Sequence, residues 1–218
     1  MSATPLLRVR GLNKRFGGFH VLKDIDLEVH EGEIIGILGP NGAGKTTLYN
    51  LLTGFIAPDE GEVLLRGRSL VGLPAHRIVG MGVARTFQLC RPFVGMSVLD
   101  NVVVGSLGPR VPACDLRDRA LALLAQVGLV EQADRPCSQL AYGDVKRLEL
   151  AIALANQPRL LLMDEPTAGM APAERNKLMA LTRDLVSQHG LAVLFTEHSM
   201  DVVFGFADRI IVLARGRL

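Results

Sequence analysis

The octet GPNGAGKT at residues 39–46 constrains this chain more than any other feature. It follows the short apolar run EIIGILG (33–39) and leads into GKTTLYNLLTG (44–54), which reads as a helix closed by Gly54. It fits the pattern G-x-x-x-x-G-K-[ST], and it sits between a strand and a helix as that pattern requires. Gly39, Gly42 and Gly44 allow the loop to curl, so that backbone N–H groups around Asn41 and Ala43 point inward at phosphate oxygens. The helix N-terminus adds a partial positive charge. Lys45 is then expected to pair with the β- and γ-phosphates of a nucleotide. Thr46 would offer its hydroxyl to Mg2+, and Thr47 would support the α-phosphate side.

A second segment completes the expectation. RLLLMDEP (159–166) is an apolar strand that ends in two carboxylates. Asp164, at the strand's end, can reach the Mg2+ shell through water, because Mg2+ keeps much of its hydration. Glu165 is then placed to polarise a water beside the γ-phosphate. The two segments together predict a nucleoside triphosphatase.

Composition agrees with an α/β protein. Apolar residues make up 49% and aromatics only 5%, so Leu, Val, Ile and Ala dominate, as in buried parallel strands. The mean hydropathy of +0.28 raises the question of membrane spans. The most apolar region, 148–163, is interrupted by Glu149, Asn156, Gln157 and Arg159, so no run is long enough to cross a bilayer. MSATPLLRVR lacks the apolar core of a signal peptide. A net charge of +2 does not point to a general nucleic-acid binder. Cys90, Cys114 and Cys137 are odd in number and widely spaced, which predicts neither a metal cluster nor a disulfide framework. A reducing, cytosolic setting is expected.

Along the chain, strands are expected at 6–10, 20–29, 33–39, 61–67, 83–87, 159–164, 191–196 and 208–214. Helices are expected at 44–54, 74–82, after Gly143, from about Ala173 to Gln188, and briefly before the last strand. This alternation implies a mostly parallel sheet with right-handed crossovers. The first strands suggest an added antiparallel β layer. The region 89–156 has no convincing strand and is expected to form a helical subdomain within a single domain spanning 1–218. The closing ARGRL reads as a hairpin cut short, so a C-terminal piece is expected to be absent.

LAYGDVKRLELA (140–151) identifies the kind of nucleotide enzyme. A small, turn-prone half precedes a helix with Leu148, Ala151 and Ile152 along one face. The expected helix start falls after Gly143, where a glycine permits close approach to an anion. In motif order the whole chain resembles the ATP-binding subunits of ABC transporters, a P-loop fold with a mostly parallel sheet core, an antiparallel β layer and a helical subdomain. LAYGD stands where that family's signature, usually LSGGQ, lies. The resemblance implies that Ala141, Tyr142 and Gly143 meet the γ-phosphate of ATP held by a second ATPase subunit, identical or related. Ala141 replaces the family's Ser, which removes one hydroxyl bond worth about 1.5–3 kcal/mol to a charged acceptor. Tyr142 and Asp144 also depart from the usual motif.

The same resemblance assigns further residues. Gln88, in ARTFQ, matches the glutamine that contacts the Mg2+–water system and senses the transporter. His198, in FTEHSMD, matches the switch histidine at the γ-phosphate. Phe16, in KRFGGFHVL, matches the aromatic that stacks on adenine. TAGMAP (167–172) occupies the D-loop, without the family's common Asp.

KRFGGFHVLKDIDLEV, ARTFQLCRPFVGMSVLDNVVVG, DEPTAGMAPAE and EHSMDVVFGFADRIIVL are similar to the branched-chain amino acid importer group. Lipopolysaccharide-export ATPases share some of this wording. The resemblance implies ATP and Mg2+ as cofactors. It also implies integral membrane permeases as partners, an extracytoplasmic substrate-binding protein acting indirectly, no nucleic acid, and a place on the cytoplasmic face of the plasma membrane. The alternatives are the ATPase of a lipopolysaccharide-type exporter and a soluble ABC-type ATPase acting on nucleic acid or ribosomes. Known forms of the soluble class carry tandem nucleotide domains, coiled coils or zinc insertions, whereas this sequence shows one phosphate loop, no heptad run and no Cys cluster. In LCRPFVGMSV (89–98), Leu89, Phe93, Val94 and Met96 either form a patch for a partner helix or pack inside the helical subdomain. Arg85 and Arg91 are expected to solvate the surface.

The phosphate-loop assignment predicts that Lys45→Ala weakens ATP binding itself; unchanged affinity in equilibrium titration would contradict it.

Overall fold

The computed structural model describes residues 4–86, 92–107 and 115–218. Two sheets pack on either side of one apolar core. The first is antiparallel. β1 (Leu7–Phe16) and β2 (Phe19–Val29) form a hairpin across Gly17–Gly18, and β4 (Glu60–Leu65) and β5 (Arg68–Ser69) extend it in the order β2-β1-β4-β5. Leu7 and Val9 are buried on alternate positions. The register then shifts between Val9 and Leu12, where Gly11 adopts φ 52°, and the shift returns Leu12 to the buried face. β1 therefore continues to Phe16, well past the expected end at residue 10. β5 is too short to show a pattern in the sequence.

The second sheet is parallel throughout. β3 (Ile34–Leu38), β6 (Val83–Thr86), β7 (Leu160–Asp164), β8 (Ala192–Thr196) and β9 (Arg209–Val212) pair in the order β6-β7-β8-β3-β9. Every residue of β7 and β8 is buried, which explains why these strands read as unbroken apolar runs. One apolar core lies between the two sheets, around α1 (Lys45–Leu52). The other lies on the far face of the parallel sheet, under α6 (Pro172–His189) and α7 (Met200–Phe206).

A third apolar cluster is separate from these. α3 (Val98–Gly105), α4 (Leu116–Gln126) and α5 (Tyr142–Leu154) bury Val98, Leu99, Val102, Ala120, Leu124, Leu148 and Ala151 against one another. Ser97 caps α3 by accepting from the Asp100 amide at 3.0 Å. α2 (Ala75–Met81) precedes β6. α5 begins at Tyr142, with Ala141 as its N-cap, so the helix takes in Gly143 rather than starting after it. At the chain's end, Arg215 and Gly216 make a turn with positive φ, bridged by Ala214 and Arg217. Gly216 accepts from the Lys23 amide at 2.7 Å, which seats this turn on β2. Among the described residues no helix is long and apolar enough to cross a membrane.

The phenol of Tyr49 fastens α1 to the sheet. It is fully buried and donates to the carbonyls of Leu194 at 2.8 Å and Met163 at 3.3 Å. Burial, together with the negative charge of Asp164, holds its pKa well above the ordinary tyrosine value, so it acts as a donor throughout the physiological range. Tyr49→Phe should cost about 1 kcal/mol of stability through this lost bond, measurable as a lower urea midpoint with an unchanged m-value.

Candidate nucleotide site

The parallel sheet brings the carboxyl ends of its strands to one edge, where ligands of such folds bind. β3 ends at Leu38 and runs into the glycine loop. Two glycines there are dictated by space and conformation. A Cβ on Gly39 would stand 2.3 Å from the Leu213 carbonyl, and Gly44 has φ 108° with its would-be Cβ 2.7 Å from Leu22. Gly42 also has positive φ. α1 starts at Lys45 with no side-chain cap, so its first-turn amides remain for an anion. Lys45 is buried and donates to the loop carbonyls of Gly39 at 2.6 Å and Pro40 at 3.3 Å. Asn41, Gly42 and Thr46 are exposed, Ala43 is buried, and Thr47 is half-buried. A cavity of about 280 Å³ is lined by Val21, residues 40–47 and Glu165.

Asp164 closes β7. It is buried, and both of its oxygens have protein donors: Thr196 Oγ1 at 2.9 Å on Oδ1, and Arg85 Nη2 at 3.0 Å on Oδ2. The Arg85 side chain is 6% exposed, so the expectation that it solvates the surface is corrected. Its position on β6, next to β7 in the sheet, turns it toward the Asp164 carboxylate rather than toward water. Its other arm donates to Asn50 Oδ1 at 2.6 Å, and its guanidinium lies 5.5 Å from the Tyr49 ring centre.

Glu165 leaves the strand with φ 49°, a left-handed conformation that costs a residue with a Cβ about 1–2 kcal/mol. Bonds from its amide to the Thr196 carbonyl and hydroxyl, both at 3.1 Å, hold it there. The turn directs the side chain into the cavity. His198 follows β8, and its Nε2 sits 2.9 Å from Glu165 Oε1, donating when protonated. Glu197, also buried, accepts from the Thr167 amide at 2.8 Å and hydroxyl at 2.6 Å, and so anchors the start of the 167–172 loop.

The structure thus brings residues 40–47 and Glu165 to one cavity, with Gly39 bonded to Lys45, Asp164 next to Glu165 at the strand end, and His198 on the Glu165 carboxylate. Phe16, at the end of β1, is 46% exposed with Lys14 Nζ 5.4 Å from its ring centre, and it does not line the cavity. Gln88 and Arg91 lie outside the described residues. Ala141, Tyr142 and Gly143 are not part of this cavity either. The Tyr142 hydroxyl instead donates to the Ala168 carbonyl at 2.9 Å, joining α5 to the 167–172 loop. A Cβ on Gly143 would lie 3.2 Å from Glu174 Oε1. Asp144 bonds Gln132 and Arg147; burial alone would raise its pKa, but these donors outweigh it and hold the carboxyl below the ordinary value. A larger cavity of about 520 Å³, bordered by Arg119, Arg159 and His189, contains none of the phosphate-loop or strand-end groups.

Thr196, Arg85 and Asn50 are the site residues that sequence reasoning missed. Thr196 had a usable signal, a hydroxyl ending an otherwise apolar strand. Arg85 had none, since its partner lies on the neighbouring strand.

This edge, with its phosphate loop and paired strand-end carboxylates, defines the class of P-loop nucleotide-binding cassettes. Within that class, the ABC transporter family matches residues 22–168, and the chain belongs to it. It is 43% identical to the high-affinity branched-chain amino acid transport ATP-binding protein LivG of Salmonella typhimurium, over 97% of this chain and 89% of that one. It is 40% identical to BraF of Pseudomonas aeruginosa, with the same coverage and the same description. Among solved structures, the ADP conformation of an ATP-binding cassette of an ABC transporter superposes with a TM-score of 0.90 at 30% identity, covering 99% of this chain and 89% of that one. A dimeric post-hydrolysis cassette bound to ADP and phosphate gives 0.83 at 28% identity, covering 97% and 96%.

Proposed function

We propose that this chain is the ATP-hydrolysing subunit of an ABC importer for branched-chain or other small amino acids, working from the cytoplasmic face of the plasma membrane. The observation that carries the reading is the placement of Glu165 in the phosphate-loop cavity, with His198 against its carboxylate. The similarity to LivG and BraF supports the cargo class.

In this reading, Lys45 releases its two loop carbonyls and turns to the β- and γ-phosphates, while the amides of residues 42–47 take the remaining oxygens. Glu165 polarises the attacking water, and His198 holds Glu165 and meets the γ-phosphate. Phe16 offers its exposed ring to adenine. The residues fit Mg2+: Thr46 and Asp164 are hard oxygen donors, and no cluster of three His, Cys, Asp or Glu residues is present among the described residues to hold a metal without the phosphates. With both oxygens of Asp164 engaged by protein donors, its contact would pass through water; when bound, the ion neutralises charge on the triphosphate. Gln88 is assigned to the same water system by its family position.

The signature residues Ala141, Tyr142 and Gly143 would complete the site of a second ATPase subunit, since they stand apart from this chain's own phosphate loop. The membrane partner would dock beside the segment after β6. Phe93 and Val94, which precede α3, are 58% and 62% exposed, and a separate groove lined by Val79, Ala84, Ile152 and Ala153 lies between α2, β6 and α5. Helices α3–α5, within 89–156, would form the arm that carries this contact.

Glu165→Gln should lower turnover by roughly two to three orders of magnitude, the scale for one positioned catalytic group, while ATP binding persists. Normal hydrolysis in this variant would remove Glu165 from its role. The same variant, tagged in its own cell and recovered from mildly solubilised membranes with ATP, should bring polytopic membrane proteins with it. Recovery of ribosomes or nucleic acid without membrane proteins would overturn the transport reading.

A further inference from the structure

Asp164 is held by a buried chain of bonds that begins on the phosphate-loop helix. Asn50 on α1 accepts from Arg85 Nη1 at 2.6 Å, and Arg85 Nη2 donates to Asp164 Oδ2 at 3.0 Å. Thr196 Oγ1 donates to Asp164 Oδ1 at 2.9 Å and accepts from the Glu165 amide at 3.1 Å. Four elements are therefore linked in one row: α1, β6, β7 and β8. Arg85 is the one member that touches both α1 and the carboxylate. The planar guanidinium suits this task because its arms are fixed relative to each other, whereas an ammonium is a single point on a flexible stem. The Tyr49 ring beneath it and its near-complete burial leave it little freedom.

We propose that Arg85 is a positioning residue of the hydrolytic centre: it sets Asp164 for the divalent cation and, through Thr196, sets the backbone of Glu165, both in register with the phosphate loop. This rests on the reading of Asp164 as the carboxylate on the cation side. Outer-shell partners of a metal site tune affinity by about 10–100-fold, and because Asp164 would meet the cation through water, Arg85 is expected to act at the lower end of that range. Loss of the fork should weaken cation binding without weakening the grip of the loop on nucleotide.

The test uses the full chain with a non-hydrolysable ATP analogue and Mn2+ as the probe, read by electron paramagnetic resonance. Arg85→Lys keeps the charge but loses the fork, and should raise the Mn2+ concentration for half-saturation by about tenfold. Asn50→Ala leaves the ion pair but loosens it, and should move the value the same way by less. ATP affinity measured in excess EDTA should stay within about twofold for both, because the loop amides and Lys45 are untouched. Asp164→Asn sets the scale. If Asp164→Asn weakens Mn2+ binding but Arg85→Lys and Asn50→Ala bind Mn2+ as the parent does, the inference on Arg85 fails alone. If Asp164→Asn also binds Mn2+ normally, the cation-side reading of Asp164 fails, and this inference with it. A fall in metal-free ATP affinity that matches the Mn2+ effect would mark Arg85 as merely structural. Should Arg85→Lys not fold, Asn50→Ala carries the same comparison.

Discussion

A carboxylate with little access to water needs partners, because desolvation penalises its charge by several kcal/mol. Asp164 meets this need on both oxygens, with Arg85 on one and Thr196 on the other. Much of the site follows from that arrangement. Thr196 can hold Asp164 only where β8 lies beside β7, and Arg85 only where β6 lies on the other side. The same Thr196 hydroxyl accepts from the Glu165 amide, and that bond supports the left-handed turn which sends Glu165 into the cavity. The order of three strands is thereby converted into the position of one side chain. Removing a partner from such a buried pair leaves an uncompensated charge, so the arrangement resists piecemeal change.

What could be read from the sequence follows the range of the physics involved. The phosphate loop was legible because its demands are local: glycines where the backbone turns to positive φ at Gly42 and Gly44, and a lysine at the first helical position. Strands β7 and β8 were legible because burial on both faces leaves continuous apolar runs. The extent of β1 was not, since the bulge near Gly11 breaks the alternation that a reader follows. The start of α5 was also misplaced. Gly143 reads as a boundary, yet Ala141 caps the helix by backbone alone, and Tyr142 enters it with its hydroxyl on the Ala168 carbonyl. Arg85 looked like a surface arginine because its partners, Asn50 and Asp164, lie 35 and 79 residues away. Sequence spacing carries no record of such pairs.

The departures in LAYGD take a different form in three dimensions. Ala141 offers no hydroxyl, but α5 still presents the uncapped amides of its first turn. Asp144 puts a negative charge in that turn, which favours the helix dipole, and Gln132 and Arg147 occupy its oxygens. Tyr142 couples the helix start to the loop that follows Glu165. In the proposed reading, a site split between a phosphate loop on one subunit and a helix start on another would make nucleotide the link between them. In that reading, the Tyr142 contact with Ala168 would tie the helix start to the loop after Glu165 within each subunit.

The most direct measurement is a structure of the Glu165→Gln chain trapped with ATP in the complex it forms in its own membrane. The account predicts a triphosphate cradled by residues 39–47, with the signature helix of a second ATPase subunit against the γ-phosphate and Glu165→Gln facing it from this chain. A nucleotide enclosed by this chain alone, or seated away from the carboxyl edge of the parallel sheet, would contradict it.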